Sequence, residues 1–467
     1  MAAPFIEELV QDLSNRLSAS QPTMRADSDY YEALFRPKAL GVATPPEMRH
    51  MVSAIGWPRV YLDSLEERLD VEGFRLAGSS EADQRLWSWW QINNLDEESS
   101  IGHLEAMIYG LSYVTVTAPD ETAPDQDTPV IRVESPRSAI ADIDHRTGAV
   151  RAFLRLYPAP AGEPTADEAA TLMVPGRVYY LVRSSGPMSR WRVESEVEGP
   201  DLVPVVPILN RERLSDRMGR SEILPEIRSV TDAAARTMMN LQAAAELMAV
   251  PQRLLFGVTR DEFESDPDNP GPVLDAYYAR IMAFENEAAS ATQFTAAELR
   301  NFTDVLDQLA KQVAAYTGLP PQYLSFHSDN PASAEAIRSA ESRLVKKAER
   351  KCRMFGGAWE QTMRIAMLIM DGEIPQEAYR METLWRDPAT PTYAAKADAV
   401  VKLVTAVTPD GRSVIPVERG RIDLGYSEEE LREMEQWDNQ SPTAQLNALM
   451  SVANPPLATS GSKAEEE

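Results

Sequence analysis

Apolar residues recur at three- and four-residue steps over three long stretches in the second half of the chain, and the rest of the sequence is arranged around them. In 221–249 the row is Ile223, Ile227, Val230, Ala234, Met238, Leu241, Ala245 and Met248, the spacing of one helix face. Ser221 stands where a cap is expected, and Pro251 where the helix must stop. Such a helix would be roughly 43 Å long. Being small-residued and Ala-rich, it needs other helices beside it. A second helix, over about 295–317, ends at Gly318, Leu319, Pro320 and Pro321, the expected stop pattern. Ser325, Phe326, His327, Ser328, Asp329, Asn330 and Pro331 form a loop by composition. Asn330 and Pro331 open a third helix that runs to about residue 371, roughly 57 Å. Its apolar row is Ile337, Leu344, Val345, Ala348, Phe355, Trp359, Met363, Ala366 and Met370. Its other face carries Arg338, Arg343, Lys346, Lys347, Arg350, Lys351 and Arg353.

Upstream, residues 1–110 read as mostly helical: 5–17 is amphipathic, a second segment starts at Asp27 and ends at Pro37, and 59–69 and 81–92 follow. Trp87, Trp89 and Trp90 read as core and interface packing. From Tyr113 the period changes to two, in 113–117, 130–134, 150–157, 178–183 and 191–195, which is strand-like. A hairpin turn at 144–148 and loops at 118–129 and 158–168 make 113–206 a small, mostly antiparallel β region. Between the first two long helices, 252–257 reads as a strand, 261–268 as an acidic turn and 288–294 as a second short strand. This insertion leaves one helix and returns into another, so it belongs at a hairpin tip, and its sheet needs another chain for completion. Short helices at 392–405 and 427–437 precede a tail, 440–467, expected to be disordered. The class is α+β, mainly helical.

Composition narrows what such a chain does. Its 467 residues suit two or more modules. The single cysteine, Cys352, excludes an internal disulfide framework and fits a reducing compartment; inside a helix it reads as packing. The N-terminus has neither the basic nor the apolar region of a signal peptide, and no apolar run reaches membrane-span length. A formal charge of −26 argues against wrapping DNA on a basic surface. It is compatible with DNA that slides past without being gripped, and with simple solubility. His50, His103, His145 and His327 are far apart, and no metal-binding or phosphate-cradling motif is present. No catalytic residue, metal or cofactor is assigned. The basic face of the third helix reads as solvated or salt-bridged, with contact to DNA or to a neighbouring acidic subunit as the second reading.

The order of parts, together with particular stretches, resembles the portal proteins of tailed bacteriophages. Gly56-Trp57-Pro58-Arg59-Val60-Tyr61-Leu62-Asp63-Ser64-Leu65 and the following Arg68-Leu69-Asp70-Val71-Glu72-Gly73-Phe74-Arg75 are similar to portals from siphoviruses of actinobacteria. So are Ser135-Pro136-Arg137-Ser138 with 150–157, Gly219-Arg220-Ser221-Glu222-Ile223, and Thr317-Gly318-Leu319-Pro320-Pro321-Gln322-Tyr323-Leu324. The resemblance covers about 25–440. It implies a subunit of a dodecameric ring with a wing (1–206 and 333–371), stem helices (207–249 and 295–324), a clip (250–294), a tunnel loop (325–332) and a crown (372–439). The ring would sit at one capsid vertex as a channel through which double-stranded DNA is packaged and ejected. Implied partners are the terminase large subunit, the head–tail connector, scaffolding protein and major capsid protein, with no membrane. Location would be the virion, and the host cytoplasm during assembly. The tunnel loop would present Ser325, Phe326, His327, Ser328, Asp329 and Asn330 to DNA, and the clip would offer Asp261, Glu262, Glu264, Asp266 and Asp268 to partners. Two other classes remain: a virion ring or adaptor without motor docking, which is usually much shorter, and a metal-dependent phage nuclease, which needs a carboxylate cluster.

Overall fold

The first helix, α1 (Ala3–Tyr31), is one continuous element that runs through Pro22. The expected break, with Asp27 opening a second segment, does not occur. A proline inside a helix removes a hydrogen bond and clashes with the preceding turn, at about 3 kcal/mol. Here both halves are clamped from outside, which offsets that cost. Ile6, Val10 and Leu13 are fully buried against a β-sheet. At the other end Asp27 is buried and paired with Arg228, the Tyr30 hydroxyl donates to Asp232 (2.9 Å) and the Tyr31 hydroxyl to Asp63 (2.8 Å).

The computed structural model describes residues 3–34, 54–79, 81–119, 125–158, 167–184, 190–249, 253–256, 281–284, 299–324, 334–389, 393–408, 412–426 and 428–440. Two units divide it, Met1–Pro388 and Ala389–Glu467. In the first, α1 is followed by α2 (Trp57–Glu66), β1 (Val71–Arg75), α3 (Gln84–Ile92) and α4 (Leu95–Tyr109). Strands β2 (Leu111–Thr117), β3 (Val130–Glu134), β4 (Ala139–Ile143), β5 (Val150–Pro158), β6 (Glu168–Val174), β7 (Arg177–Arg183), β8 (Arg192–Glu198) and β9 (Val205–Leu209) come next. After them stand α5 (Pro225–Ala249), β10 (Arg253–Phe256), β11 (Ile281–Phe284), α6 (Arg300–Thr317), α7 (Ala334–Asp371) and β12 (Glu382–Trp385).

Strands β4 to β8 form an antiparallel sheet in sequence order, and β3-β2-β9 a second antiparallel sheet. Alternation places Ala152, Leu154, Ala170, Leu172 and Leu181 on the face that α1 covers. Phe153 and Met173 point the other way and meet Leu111, Tyr113 and Val205 of the smaller sheet. Tyr113 and Phe153 stack edge to face at 5.3 Å. The expected β region is therefore present, with β4, β6 and β9 as strands that the period-two pattern alone does not mark. β2 is buried on both faces for six of its seven positions, because its second face joins the main core with α4 and α7.

That main core is aromatic at its centre. Trp90 meets Trp359 at 4.9 Å, and Trp87 stacks on Trp90 at 6.1 Å, so the tryptophan group packs core as expected. β1 and β12 pair antiparallel, tying the chain ahead of α3 to the chain beyond α7. His103 of α4 lies wholly inside, stacked 5.1 Å from Phe355, and its Nε2 accepts from Trp359 Nε1 at 2.8 Å. Its proton therefore resides on Nδ1, which has no partner among the described residues. In the second unit α8 (Tyr393–Thr405), α9 (Val417–Leu424) and α10 (Glu428–Gln440) pack in sequence. Gly420 lets α9 close on α8: a Cβ there would lie 2.9 Å from Val400 and 3.0 Å from Val404. The tail 441–467 lies outside the described residues.

Burial lowers the His103 pKa from 6.5 to about 3. Below pH 6.5 the unfolded chain takes up a proton that the folded chain refuses. Stability therefore falls as pH drops from 6.5 toward 3, by roughly 1.4 kcal/mol per pH unit from this group alone. His103→Gln, which can still accept from Trp359, should flatten that part of the profile in denaturant titrations between pH 7 and 4. An unchanged slope would rule out the assignment.

Candidate functional site

The long-helix assembly is the part of the chain on which function can be built, and its geometry starts from one backbone crossing. Gly110, which ends α4, and Gly219 both have positive φ, 95° and 79°. They press so closely that a Cβ on Gly219 would lie 1.8 Å from the Gly110 carbonyl oxygen. Only glycine fits both the conformation and the space. The crossing is sewn by Asn210 N–H to Gly110 O (2.8 Å), Arg220 N–H to Asn210 O (2.9 Å) and Glu222 N–H to Met107 O (2.9 Å).

This brings Glu222 into the core, where it is 2% exposed. Lys351, from the middle of α7, is 1% exposed and pairs with it. Lys351 also donates to Asn210 Oδ1. Asn210 Nδ2 donates to Arg220 O at 2.7 Å and to Glu222 Oε1 at 3.1 Å. The Tyr61 hydroxyl of α2 donates to Glu222 Oε2 at 2.8 Å and receives Lys347 Nζ at 2.8 Å. Burial alone would raise the Glu222 pKa. The charges of Lys351 and Lys347, with hydrogen bonds from Lys351 and Tyr61, outweigh it and bring the carboxyl down to about 2. Burial lowers the Lys347 pKa and drives that of the Tyr61 hydroxyl well up.

The network fixes the entry of α5. The helix opens at Pro225 rather than Ser221, since proline suits a first helical position. Ser221 Oγ instead accepts from Ile223 N–H at 3.1 Å. The first turns of α5 are gripped again by α1 through Asp27–Arg228 and Tyr30–Asp232. Ile227, Val230 and Ala234 of α5 share the core with Leu306, Ala310, Val313 and Ala314 of α6. α6 ends at Gly318 with φ 81°, as its stop pattern requires. A 3₁₀ turn, Pro321–Tyr323, follows. The Tyr323 hydroxyl donates to Glu341 Oε1 of α7 at 2.7 Å, and Arg68 pairs with Glu341 at 3.6 Å. Arg343 caps the end of α6 through Ala315 O at 3.2 Å.

The basic face expected on α7 is thus corrected at Lys351 and Lys347, which turn into the molecule to meet Glu222 and Tyr61. Arg338, Arg343, Lys346, Arg350 and Arg353 remain exposed, and Lys346 pairs with Glu349 at 2.8 Å. Cys352 is buried beside them, its thiol pushed up to about 12 chiefly by burial. β10 pairs in parallel with β11, Arg253 opposite Ile281 through Phe256 opposite Phe284. The expected strand at 288–294 lies outside the described residues. So do the tunnel-loop residues Ser325, Phe326, His327, Ser328, Asp329 and Asn330, and the clip residues Asp261, Glu262, Glu264, Asp266 and Asp268. Among the described residues, no group of three or more His, Cys, Asp or Glu is placed to hold a metal, and no helix is long and apolar enough to cross a membrane.

A β region set ahead of two packed helices, a strand-bearing insertion between them and a long helix beyond define a class. The family model described as "Phage portal protein, SPP1 Gp6-like" matches residues 11–412, and the chain belongs to this family of phage portal proteins, which are virion components. Among curated relatives, the "Portal protein" of Mycobacterium phage D29 is 50% identical over 444 residues, covering 94% of this chain and 90% of that protein. The "Portal protein" of Mycobacterium phage L5 is 49% identical over 456 residues, covering 97% and 92%.

The buried pair makes a direct test. Lys351→Met leaves the Glu222 carboxylate buried without its counter-charge and should cost about 3–5 kcal/mol. The double variant Glu222→Gln/Lys351→Met should recover much of that loss. Equal destabilisation by the single and double variants in urea titrations would show that packing, not charge, is what Lys351 supplies.

Proposed function

We propose that this chain is one subunit of a closed dodecameric ring at a single capsid vertex, through which double-stranded DNA enters during packaging and leaves at ejection. The observation that carries this reading is near-50% identity to two curated phage portal proteins over at least nine-tenths of each chain compared. On this reading 1–206 and 333–371 form the wing, 207–249 and 295–324 the stem, 250–294 the clip, 325–332 the tunnel loop and 372–439 the crown. The terminase large subunit docks on the clip during packaging and the head–tail connector afterwards. Assembly with scaffolding and major capsid protein takes place in the host cytoplasm.

Physical features support the assignment. Ala234, Ala235 and Ala243 are spent on the chain's own core, but the partly buried Ala233, Ala244 and Ala245 keep α5 narrow on its other side, so that neighbouring copies can approach closely around an axis. An overall charge of −26 repels phosphate and keeps passing DNA from sticking. In the loop 325–330, Ser325, Ser328 and Asn330 offer neutral polar groups, and His327 is the one side chain able to gain charge near neutral pH.

Purified protein should run as a ring of roughly twelve chains by native mass measurement. A folded monomer at micromolar concentration would count against the reading. Shortening 326–330 should leave ring and procapsid assembly normal and reduce the DNA protected from nuclease. Full protection would remove the loop from the mechanism. Converting Asp261, Glu262, Glu264, Asp266 and Asp268 to their amides should weaken terminase binding most at low salt, since exposed charges act on encounter; binding unchanged at every salt concentration would assign them to solubility.

A further inference from the structure

Two adjacent glycines interrupt the middle of α7, where each costs up to about 1 kcal/mol relative to alanine. Gly356 is accounted for inside the chain: a Cβ there would stand 3.1 Å from Trp385 Nε1 and 3.5 Å from Thr383. Gly357 is not. It is exposed, its φ is not in the left-handed region, and no atom lies within 4 Å of where its Cβ would be. The chain therefore carries a helix-weakening residue on an outer face where its own packing makes no use of it.

That position lines a groove of about 540 Å³ between α7 and the segment leaving β9. Its floor is apolar, with Pro207 and Leu209 on one side and Met354 and Ala358 on the other. Its rim carries Arg211, Glu212 and Arg213, all exposed, a net positive edge in a chain whose formal charge is −26; among the described residues neither arginine is in an ion pair. Leu214, also on the rim, is 90% exposed, more than any other large apolar side chain among the described residues. Two cations in no ion pair among the described residues, an uncovered leucine and a glycine shaved to the backbone thus converge on one open groove.

The geometry points to this groove as the seat of a neighbouring copy of the same chain, a subunit contact in which an acidic surface of the neighbour meets Arg211 and Arg213. The same copy covers Leu214 and approaches the backbone at Gly357. The occupant is a second copy because of charge: with 72 acidic against 46 basic residues, the surface of any copy is predominantly acidic, which complements a net positive rim whose two arginines hold no ion pair among the described residues. Glycine at 357 permits the close backbone approach that a repeated ring contact demands. The inference rests on the ring reading given above and assigns residues to its interface.

Three variants test it against wild type, by native mass measurement across a concentration series and by circular dichroism for folding. Gly357→Trp fills the groove from an exposed position. Arg211→Glu/Arg213→Glu reverses the rim charge on side chains that hold no ion pair within the described chain. Each should keep the wild-type spectrum and raise the concentration needed for assembly about tenfold or more. Leu214→Cys, labelled with a thiol-directed photo-crosslinker, should cross-link between chains in the assembled state; the buried Cys352 thiol stays unlabelled under native conditions. If Gly357→Trp fails to fold, the arginine pair and the cross-link decide. Rings that form at wild-type concentration in the variants, or cross-links only within a chain, overturn the groove assignment while leaving the ring reading intact. A monomeric wild type overturns both.

Discussion

An ammonium and a carboxylate taken out of water cost several kcal/mol each, and attraction repays that only when the geometry is good and the remaining hydrogen bonds are made. Lys351 and Glu222 meet that condition because three other parts of the chain are brought to them: Tyr61 from α2, Asn210 from beyond β9, and the main chain around Gly110 and Gly219. Remove any of these and a charge or a polar group is left buried without a partner. The pair therefore acts less as a source of stability than as a demand for one arrangement. α7 can slide neither up nor down against the start of α5 without stranding Glu222.

The other contacts of the first unit extend from this fixed point. α1 spans from the five-stranded sheet, where Ile6, Val10 and Leu13 are buried, to α5, where Asp27 and Tyr30 engage Arg228 and Asp232. β1 and β12 close the chain around α7, and Trp90, Trp359 and His103 fill the space between. Helix α5 is thus held along its first turns by charge and along its length by α6. Its orientation is set by elements distant in sequence that grip its own Arg228 and Asp232.

Much of this was legible from periodicity. The three long helices, the strand-rich middle and the stop at Gly318 follow from spacing and from glycine and proline chemistry, and the family resemblance agrees with the homologues. What escaped did so for identifiable reasons. The apolar row of α7 skips from Ala348 to Phe355, a gap of two turns, and Lys351 sits within it on the same stripe. A charged residue at an apolar position is the mark of a buried partner, but the partner, Glu222, lies in a different part of the sequence. The amphipathic pattern of 5–17 does not carry on to Asp27, so α1 reads as two segments; the tertiary clamps that hold it continuous through Pro22 are invisible to local propensity. β4, β6 and β9 lack clean alternation because their faces are covered on both sides or contain small residues. β11 was missed because the parallel pairing partner of β10 carries no turn signal beside it.

The distribution of these contacts along the chain also dictates the order in which it can acquire structure. Strands β4 to β8 pair with their immediate neighbours in sequence, and the helix that covers them, α1, comes earlier still. The sheet has low contact order, and because α1 is made before it, the two can join while the remainder is being synthesised. The main core cannot. Tyr61 must wait for Lys347, Glu222 for Lys351, His103 for Trp359, and β1 for β12. Until about residue 385 has left the ribosome, α2, α3 and α4 expose the apolar surface that α7 will cover, Trp90 among it. The step that closes the core and locks α5 in place thus waits until all but the second unit, Ala389–Glu467, has been made.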